Sequence, residues 1–299
     1  YLHCQGEFFT DSSGRRLIKR LRNRRDDWSL PIEYNESQII TGNYYPIVNR
    51  IMLKNILLEW FNERIPFGLA IYTDRSQGGT SLNDGQLELM VHRQTVYDDG
   101  LGVNEPLTEL GVDGNGLIVR GTHRIRFDEL YLIENEERKI AQTMRRPIIP
   151  VFLPSNKQSL TDHINGWSGI RKSLPSNIHL LSLSSWPVNV VDKSETKNQI
   201  LVRFENLHTT DRSESTHIDV KYLFTGITIT DVTEMTLTAD QLKEDAVSRR
   251  LHWPTEPEFH SFTKSYVMNA SSIILKIPPN KIITYILDYQ VDDSSQIFN

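Results

Sequence analysis

The sequence predicts a mainly β protein, an antiparallel β-sandwich with one or two short surface helices. Three observations predict it. Short runs rich in Val, Ile, Thr, Tyr and Phe recur along the chain, clusters of Gly, Asn, Asp, Ser and Pro separate them, and only one long segment, 128–146, changes to helical spacing. No internal repeat and no low-complexity tract interrupts this pattern.

Residues 6–10 and 17–21 read as two strands joined by the turn Asp11-Ser12-Ser13-Gly14. The second lies in a basic run of Arg15, Arg16, Lys19, Arg20, Arg22, Arg24 and Arg25. Such a run serves either an anion patch or a solvated strand edge that blocks unwanted pairing. Strands follow at 50–58 and 67–73, linked by Glu59-Trp60-Phe61-Asn62-Glu63-Arg64. The stretch 71–106 then holds a strand end, the Gly78-Gly79 hinge, a second strand and an acidic turn. Within it Leu87, Leu89 and Val91 share one face, and Gln86, Glu88, Met90 and His92 the other.

Alternation over 117–127 predicts a long strand with Leu117, Val119, Gly121, His123, Ile125 and Phe127 on one face. In 128–146, Leu130, Ile133, Ile140, Ala141 and Met144 fall at helical spacings, and Glu134, Glu136 and Glu137 precede Arg138 and Lys139. A surface helix with solvated charges is the expectation. Trp167 in the following loop is read as a plug over the core, with an aromatic sugar platform as the competing role. Strands at 178–183, 200–204 and 227–238 come next, with a short helix at 241–249. Two last strands, 273–277 and 282–289, flank Pro278-Pro279-Asn280 and predict a terminal hairpin. The expected organisation is a central β domain over 1–240, completed by a terminal hairpin region over 241–299.

The 299 residues carry 33 basic and 38 acidic side chains, for a formal net charge of −5. That sign argues against a general nucleic-acid binder, whose phosphate contacts are largely cationic. No apolar run approaches the roughly 20 residues that span a bilayer, so the expectation is no membrane partner. Cys4 is the single cysteine, which leaves no intrachain disulfide to form. Asn35-Glu36-Ser37 and Asn269-Ala270-Ser271 are glycosylation sequons, relevant in the secretory pathway.

The chemistry-bearing motifs are few. There is no HExxH, no CxxC pair, no phosphate-binding glycine loop and no GxSxG elbow. His92, His123, His163 and His179 are scattered, without the fixed spacing of a zinc site. Asp98-Asp99 precedes a glycine, where both carboxylates ordinarily serve the backbone instead of flanking a glycosidic bond. Gly42-Asn43-Tyr44-Tyr45-Pro46 is the first candidate site, because a tyrosine offers an apolar ring and an edge hydroxyl to a sugar. The competing role for these tyrosines is half-buried strand packing.

TDRSQGG, DGQLELMVHR and DDG-x-GV-x-EPL, in that order, resemble the C-terminal half of glycoside hydrolase family 38 α-mannosidases, and within them the lysosomal type. FFTDSSGR and GNYYPI upstream, and LPSNIHLLSLSSW and LVRFEN downstream, extend the resemblance from about residue 6 to about residue 288. It implies a galactose-mutarotase-like supersandwich. It also implies a zinc ion, an aspartate nucleophile and an acid/base aspartate in an N-terminal catalytic domain outside this chain, which would hydrolyse terminal α-linked mannose of N-glycans with retention. The chain itself is then expected to bind no cofactor, to be inactive alone, and to contact that domain and a mannosyl oligosaccharide in the lysosome or secretory pathway. By the same resemblance Tyr45, with Tyr44 as alternative, touches the bound mannose, and Arg203 contributes from a later strand. Arg203 can orient sugar hydroxyls through its donor fork, or it can pair with Glu205 on the strand surface. The Asn269 sequon matches one that such enzymes carry before their final strands. The abrupt start leaves two origins open, a processed subunit or a truncated gene product, and a stand-alone carbohydrate-binding or structural module is the alternative function.

Overall fold

A computed structural model describes residues 4–24, 42–60, 63–102, 106–152, 167–187, 198–208, 214–251 and 262–292, with backbone alone at 57–60 and 63–64. The chain forms two compact units, Tyr1–Ile149 and Pro150–Asn299. Mainly antiparallel β-sheet builds both, as the sequence predicts.

The first unit contains β1 (Glu7–Thr10), β2 (Ile18–Leu21), β3 (Tyr45–Ile47), β4 (Arg50–Trp60), β5 (Glu63–Thr73), β6 (Gln77–Thr80), β7 (Glu88–Met90), β8 (His123–Glu129) and α1 (Leu130–Arg145). A five-stranded sheet runs β2-β1-β4-β5-β8, and a second of three strands runs β3-β6-β7. Both faces of the larger sheet are covered near its centre, so β4 and β5 read as almost continuous apolar runs. Ile51, Leu53 and Ile56 join Phe8, Tyr45 and Ile47 in the core toward the small sheet. Met52, Ala70 and Tyr72 face the other way, onto Ile133, Ala141 and Met144 of α1. A bulge between Leu53 and Ile56, with Asn55 at φ 58°, keeps Ile56 on the Leu53 side despite the odd spacing.

The second unit holds β9 (Ile178–Trp186), β10 (Gln199–Asn206), β11 (Thr216–Asp219), β12 (Ile227–Met235), α2 (Lys243–Ser248), β13 (Tyr266–Met268), β14 (Ile273–Ile277) and β15 (Ile282–Val291). Sheets β12-β15-β10-β9 and β11-β14-β13 close on one core of Val202, Phe204, Ile229, Leu275, Ile277, Tyr285 and Leu287. Alternate residues of each strand supply it, as in other sandwiches.

Five expectations need correction. The strand predicted over 117–127 spans only β8, because its partner β5 ends at Thr73 and Asp74 there takes Thr122 N–H into its own carboxylate at 2.8 Å. Leu117 and Ile118 are exposed. The predicted terminal hairpin does not form. β14 pairs with β11 and β13, whereas β15 pairs with β10 and β12, so the chain crosses between sheets at Pro278-Pro279-Asn280. Two prolines without N–H groups and Asn280 at φ 55° suit such a crossing better than a tight turn. The residues that link β4 to β5 extend the two strands, with Glu59 opposite Arg64 and Trp60 opposite Glu63. Trp167 is 79% exposed and plugs nothing among the described residues; its ring packs over Gly169. Finally, not every charge of α1 is solvated. Glu137 falls on the buried stripe with Ile133, Ala141 and Met144 and meets Arg50 from β4.

Candidate functional site

A cleft of about 900 Å³ opens in the first unit, lined by Tyr44, Tyr45, Pro46, Gln77, Gly78, Met90, Arg93, Glu109, Leu110 and Leu117 among others. Local sequence explains its wall. β3 alternates, burying Tyr45 and Ile47 and turning Pro46 outward, and it pairs with β6 so that Tyr45 stands opposite Gly79 and Pro46 opposite Gly78. Gly79 is closely packed, since a Cβ there would lie 3.0 Å from Ile51 Cδ1 and 3.4 Å from Ile47 Cδ1 and Leu89 Cδ2. Gly78 leaves room for Tyr44, whose Cδ1 lies 3.4 Å from the point a Cβ would occupy.

The two tyrosines differ in what remains open to a ligand. Tyr45 is 9% exposed, its ring edge-on to Phe8 at 5.7 Å. The Arg20 guanidinium covers one of its faces at 4.2 Å from the ring centroid. Arg20 is itself held by Thr10 and Ser12 through hydrogen bonds of 3.0 and 2.8 Å. Tyr44 is half-buried, and its hydroxyl donates to Glu88 Oε1 of β7. Burial first, and then the Glu88 carboxylate, push the Tyr44 phenol up to about 12, which keeps it a protonated donor.

Gln77 completes the inner wall. Its Oε1 lies 3.0 Å from His123 Nε2, and its Nε2 has no partner among the described residues. Sequence reading passed over Gln77 and Glu88 as site residues. The signal for Glu88 was present, since alternation already put it on the face of Met90 and opposite Leu89.

The remaining candidates resolve into fold roles. Asp98 and Asp99 accept from Gly100 N at 2.7 Å and Leu101 N at 2.9 Å, the backbone service expected of them. In the basic run, Lys19 pairs with Glu7, and Arg22 meets Asp84 at 2.8 Å. β2 is the edge of its sheet, which suits the strand-edge reading of those charges. His179 sits 3.3 Å from Glu205 Oε2 in the second unit.

Arg203 lies on β10, opposite Ser182 of β9 and Thr284 of β15. Its Nε donates to Leu237 O at 2.9 Å and its Nη1 to Ser182 Oγ at 3.1 Å. Thr284 Oγ1 holds the same carbonyl at 3.3 Å, so Arg203 fixes the turn after β12. Asn269 is exposed at the β13–β14 turn, and its Oδ1 accepts from Ser271 N at 2.9 Å and Ser272 N at 2.8 Å. Asn35 lies outside the described residues. Among the described residues no three His, Cys, Asp or Glu side chains gather closely enough to hold a metal ion. No helix among them is long and apolar enough to cross a membrane.

The sequence profile of the glycosyl hydrolases family 38 C-terminal domain matches residues 1–101. Human lysosomal alpha-mannosidase is 34% identical over 299 residues, covering 97% of this chain and 27% of the human protein. The bovine lysosomal alpha-mannosidase is 33% identical over 308 residues, covering 98% of this chain and 27% of that protein. A probable alpha-mannosidase of Arabidopsis thaliana is 30% identical over 292 residues, covering 95% of this chain and 26% of its own length. The chain therefore spans about a quarter of the length of the relatives it matches, and it belongs to glycosyl hydrolase family 38, carrying sequence of that family's C-terminal region.

Proposed function

We propose that the chain acts as the sugar-facing β region of a lysosomal-type α-mannosidase. The enzyme hydrolyses terminal α-linked mannose of N-glycans with retention, in the lysosome or secretory pathway. Its zinc ion and both catalytic carboxylates reside in an N-terminal region outside these 299 residues, and the chain alone is inactive. The observation that carries this reading is the tyrosine-lined cleft of the first unit, whose β3, β6 and β7 walls fall within the segment that matches the family profile. A pocket of several hundred Å³ with apolar walls and a few placed polar groups suits a sugar ring. Tyr45, with Tyr44 as the alternative, contacts mannose in that cleft; separately, Arg203 of the second unit orients a sugar hydroxyl or a neighbouring carboxylate, and Asn269 and Asn35 carry glycans.

Exposed apolar side chains support the need for a companion region. On β8, Ile125 and Phe127 are 70% and 49% exposed, and Phe127 stacks on Phe67 at 5.2 Å. An apolar pair of this kind suits cover by a companion region.

The test is complementation. Co-expression with the N-terminal region of a lysosomal alpha-mannosidase restores hydrolysis of an aryl α-mannoside, and Tyr44→Phe, Tyr45→Phe and Arg203→Ala each lower it. Restored hydrolysis that all three variants leave unchanged would reject the site assignment, and no hydrolysis with a stable complex in hand would reject the function.

A further inference from the structure

Gln77 is the first residue of β6, opposite Ile47 of β3 and one position past the last pair that β6 makes with β7, Gly78 with Met90. No further pair forms beyond it, and Val91 and His92 line the cleft together with Ser76 and Gln77. The Gln77 side chain is 8% exposed. Its Oε1 meets His123 Nε2 at 3.0 Å, from the point where β8 begins opposite Thr73 of β5. Asp74 holds Thr122 N–H at 2.8 Å, which fixes the backbone next to His123.

Hydrogen-bond accounting makes this carboxamide unusual. Nearly all buried donors in a folded protein have a partner, yet Gln77 Nε2 is buried without one among the described residues. Arg22, Asn49, Tyr72 and Thr80 also hold buried atoms without a partner, but none of these residues lines the cleft. In this arrangement the His123 proton is assigned to Nε2, so the ring donates to Oε1 and both hydrogens of Gln77 Nε2 are left to give. A ligand that satisfies them has to bring an acceptor. Arg93 and Glu109 line the cleft as one cation and one anion, a balance that suits a neutral ligand. A hydroxyl oxygen of a neutral sugar meets both requirements.

We propose that Gln77 is a ligand-binding residue of the cleft, donating from Nε2 to one hydroxyl oxygen of the mannosyl ligand, with His123 as the positioning residue that holds its carboxamide in that orientation. This rests on the mannosyl reading of the cleft given above.

The experiment is an NMR titration of the 299-residue chain with methyl α-D-mannopyranoside and its monodeoxy derivatives, following the Gln77 side-chain amide and the His123 ring nitrogens, with melting temperature measured alongside. In wild type the sugar shifts the Gln77 amide hydrogens and slows their exchange with water. Gln77→Met, similar in size but without donor or acceptor, binds the parent sugar about fivefold more weakly. His123→Phe, which leaves the carboxamide in place but unheld, binds about twofold more weakly. Gln77→Met with His123→Phe removes both ends of the internal bond, stays close to the wild-type melting temperature and binds as weakly as Gln77→Met alone. One deoxy derivative loses as much in wild type as Gln77→Met loses with the parent sugar, and loses little more in Gln77→Met. Sugar-induced shifts elsewhere in the cleft, with the Gln77 amide unmoved and Gln77→Met binding as wild type does, overturn the proposal, leave the mannosyl reading standing and give Nε2 to an ordered water. Absence of any shift in wild type at saturating sugar overturns the mannosyl reading of the cleft, and the Gln77 contact with it.

Discussion

Arg50 is the side chain whose removal tests the fold of the first unit most severely. It is 1% exposed at its side chain, as buried as its partner Asp11 at 0%, and Glu137 is 4% exposed. Nη1 reaches Asp11 at 2.9 Å, while Nε and Nη2 grip Glu137 at 3.0 and 3.1 Å in a two-pronged contact. One guanidinium thus ties the end of β1, the start of β4 and the middle of α1. Arg50→Met removes the cation and leaves two buried carboxylates. Breaking a buried pair from one side costs about 3–5 kcal/mol. Asp11 is cushioned, since it also accepts from the N–H groups of Val48, Asn49 and Arg50 at 2.9, 3.0 and 3.1 Å. Glu137 loses both prongs and carries most of the loss, so about 4 kcal/mol is expected. Glu137→Leu in the Arg50→Met background removes the stranded charge and should recover about 2 kcal/mol of it. Native-state hydrogen exchange at the amides of β4 and α1 reads the first unit on its own. A loss below about 1 kcal/mol, or a double variant no more stable than Arg50→Met, would refute the clamp.

Further tests follow from single contacts. Gly14 has φ 74°, and a Cβ there would sit 2.8 Å from Asn49 Nδ2, so Gly14→Ala should cost about 1–2 kcal/mol by the same exchange measurement. Burial, with Glu137 next, pushes the Tyr72 phenol up to about 12. The unfolded phenol ionises near pH 10, so from there to pH 12 the unfolded state holds fewer protons and stability falls by at most about 1.4 kcal/mol per pH unit. A Tyr72→Phe variant should show a shallower alkaline loss in denaturant titrations at pH 9 to 12, and an equal slope would contradict the assignment. Asn269 bonds through Oδ1 and leaves Nδ2 open, so glycosidase treatment of secreted protein should shift its mass, and Asn269→Gln should abolish one such shift.

What the sequence revealed divides along physical lines. Strands whose partners are near in sequence, such as β1 with β2, were legible because alternation and a turn signal sit side by side, whereas β4 and β5 were legible only as apolar runs, with the strand ends at Glu59, Trp60, Glu63 and Arg64 read as a linker. The helix α1 was legible from its stripe, but Glu137 was not, since a charged residue on the apolar side has no meaning until Arg50 is brought to it from 87 positions away. The β14–β15 crossing was misread for the same reason. Two apolar runs around a turn predict a hairpin, and only sheet membership, set by β10 through β13, separates them. The cleft was legible through the tyrosine pair alone; Gln77 and His123 meet across 46 positions, beyond any local pattern.

Hydrogen-bond accounting separates the residues that hold this fold from those left to act on something else. Asp11 and Asp84 are chemically fit for a site, yet their oxygens go to backbone N–H groups and arginines within the unit. Tyr45 is spent in a similar way, with Phe8 at its edge and Arg20 over its face. Arg203 is partly spent, with Nε and Nη1 on Leu237 and Ser182 and Nη2 without a bond among the described residues. Glu88 keeps an oxygen, Gln77 keeps an amide nitrogen, and both belong to the strands that wall the cleft beside Tyr44. Arg22 Nη1, Asn49 Oδ1, Tyr72 Oη and Thr80 Oγ1 of the first unit also lack a partner among the described residues, but of these buried groups only Gln77 Nε2 belongs to a residue that lines the cleft, where a ligand rich in hydroxyl groups can satisfy it. The neighbouring tyrosines therefore offer a ligand different groups: both line the cleft, but Tyr45 has Phe8 at its edge and Arg20 over one face, whereas Tyr44 brings a half-buried ring and a hydroxyl that reaches Glu88.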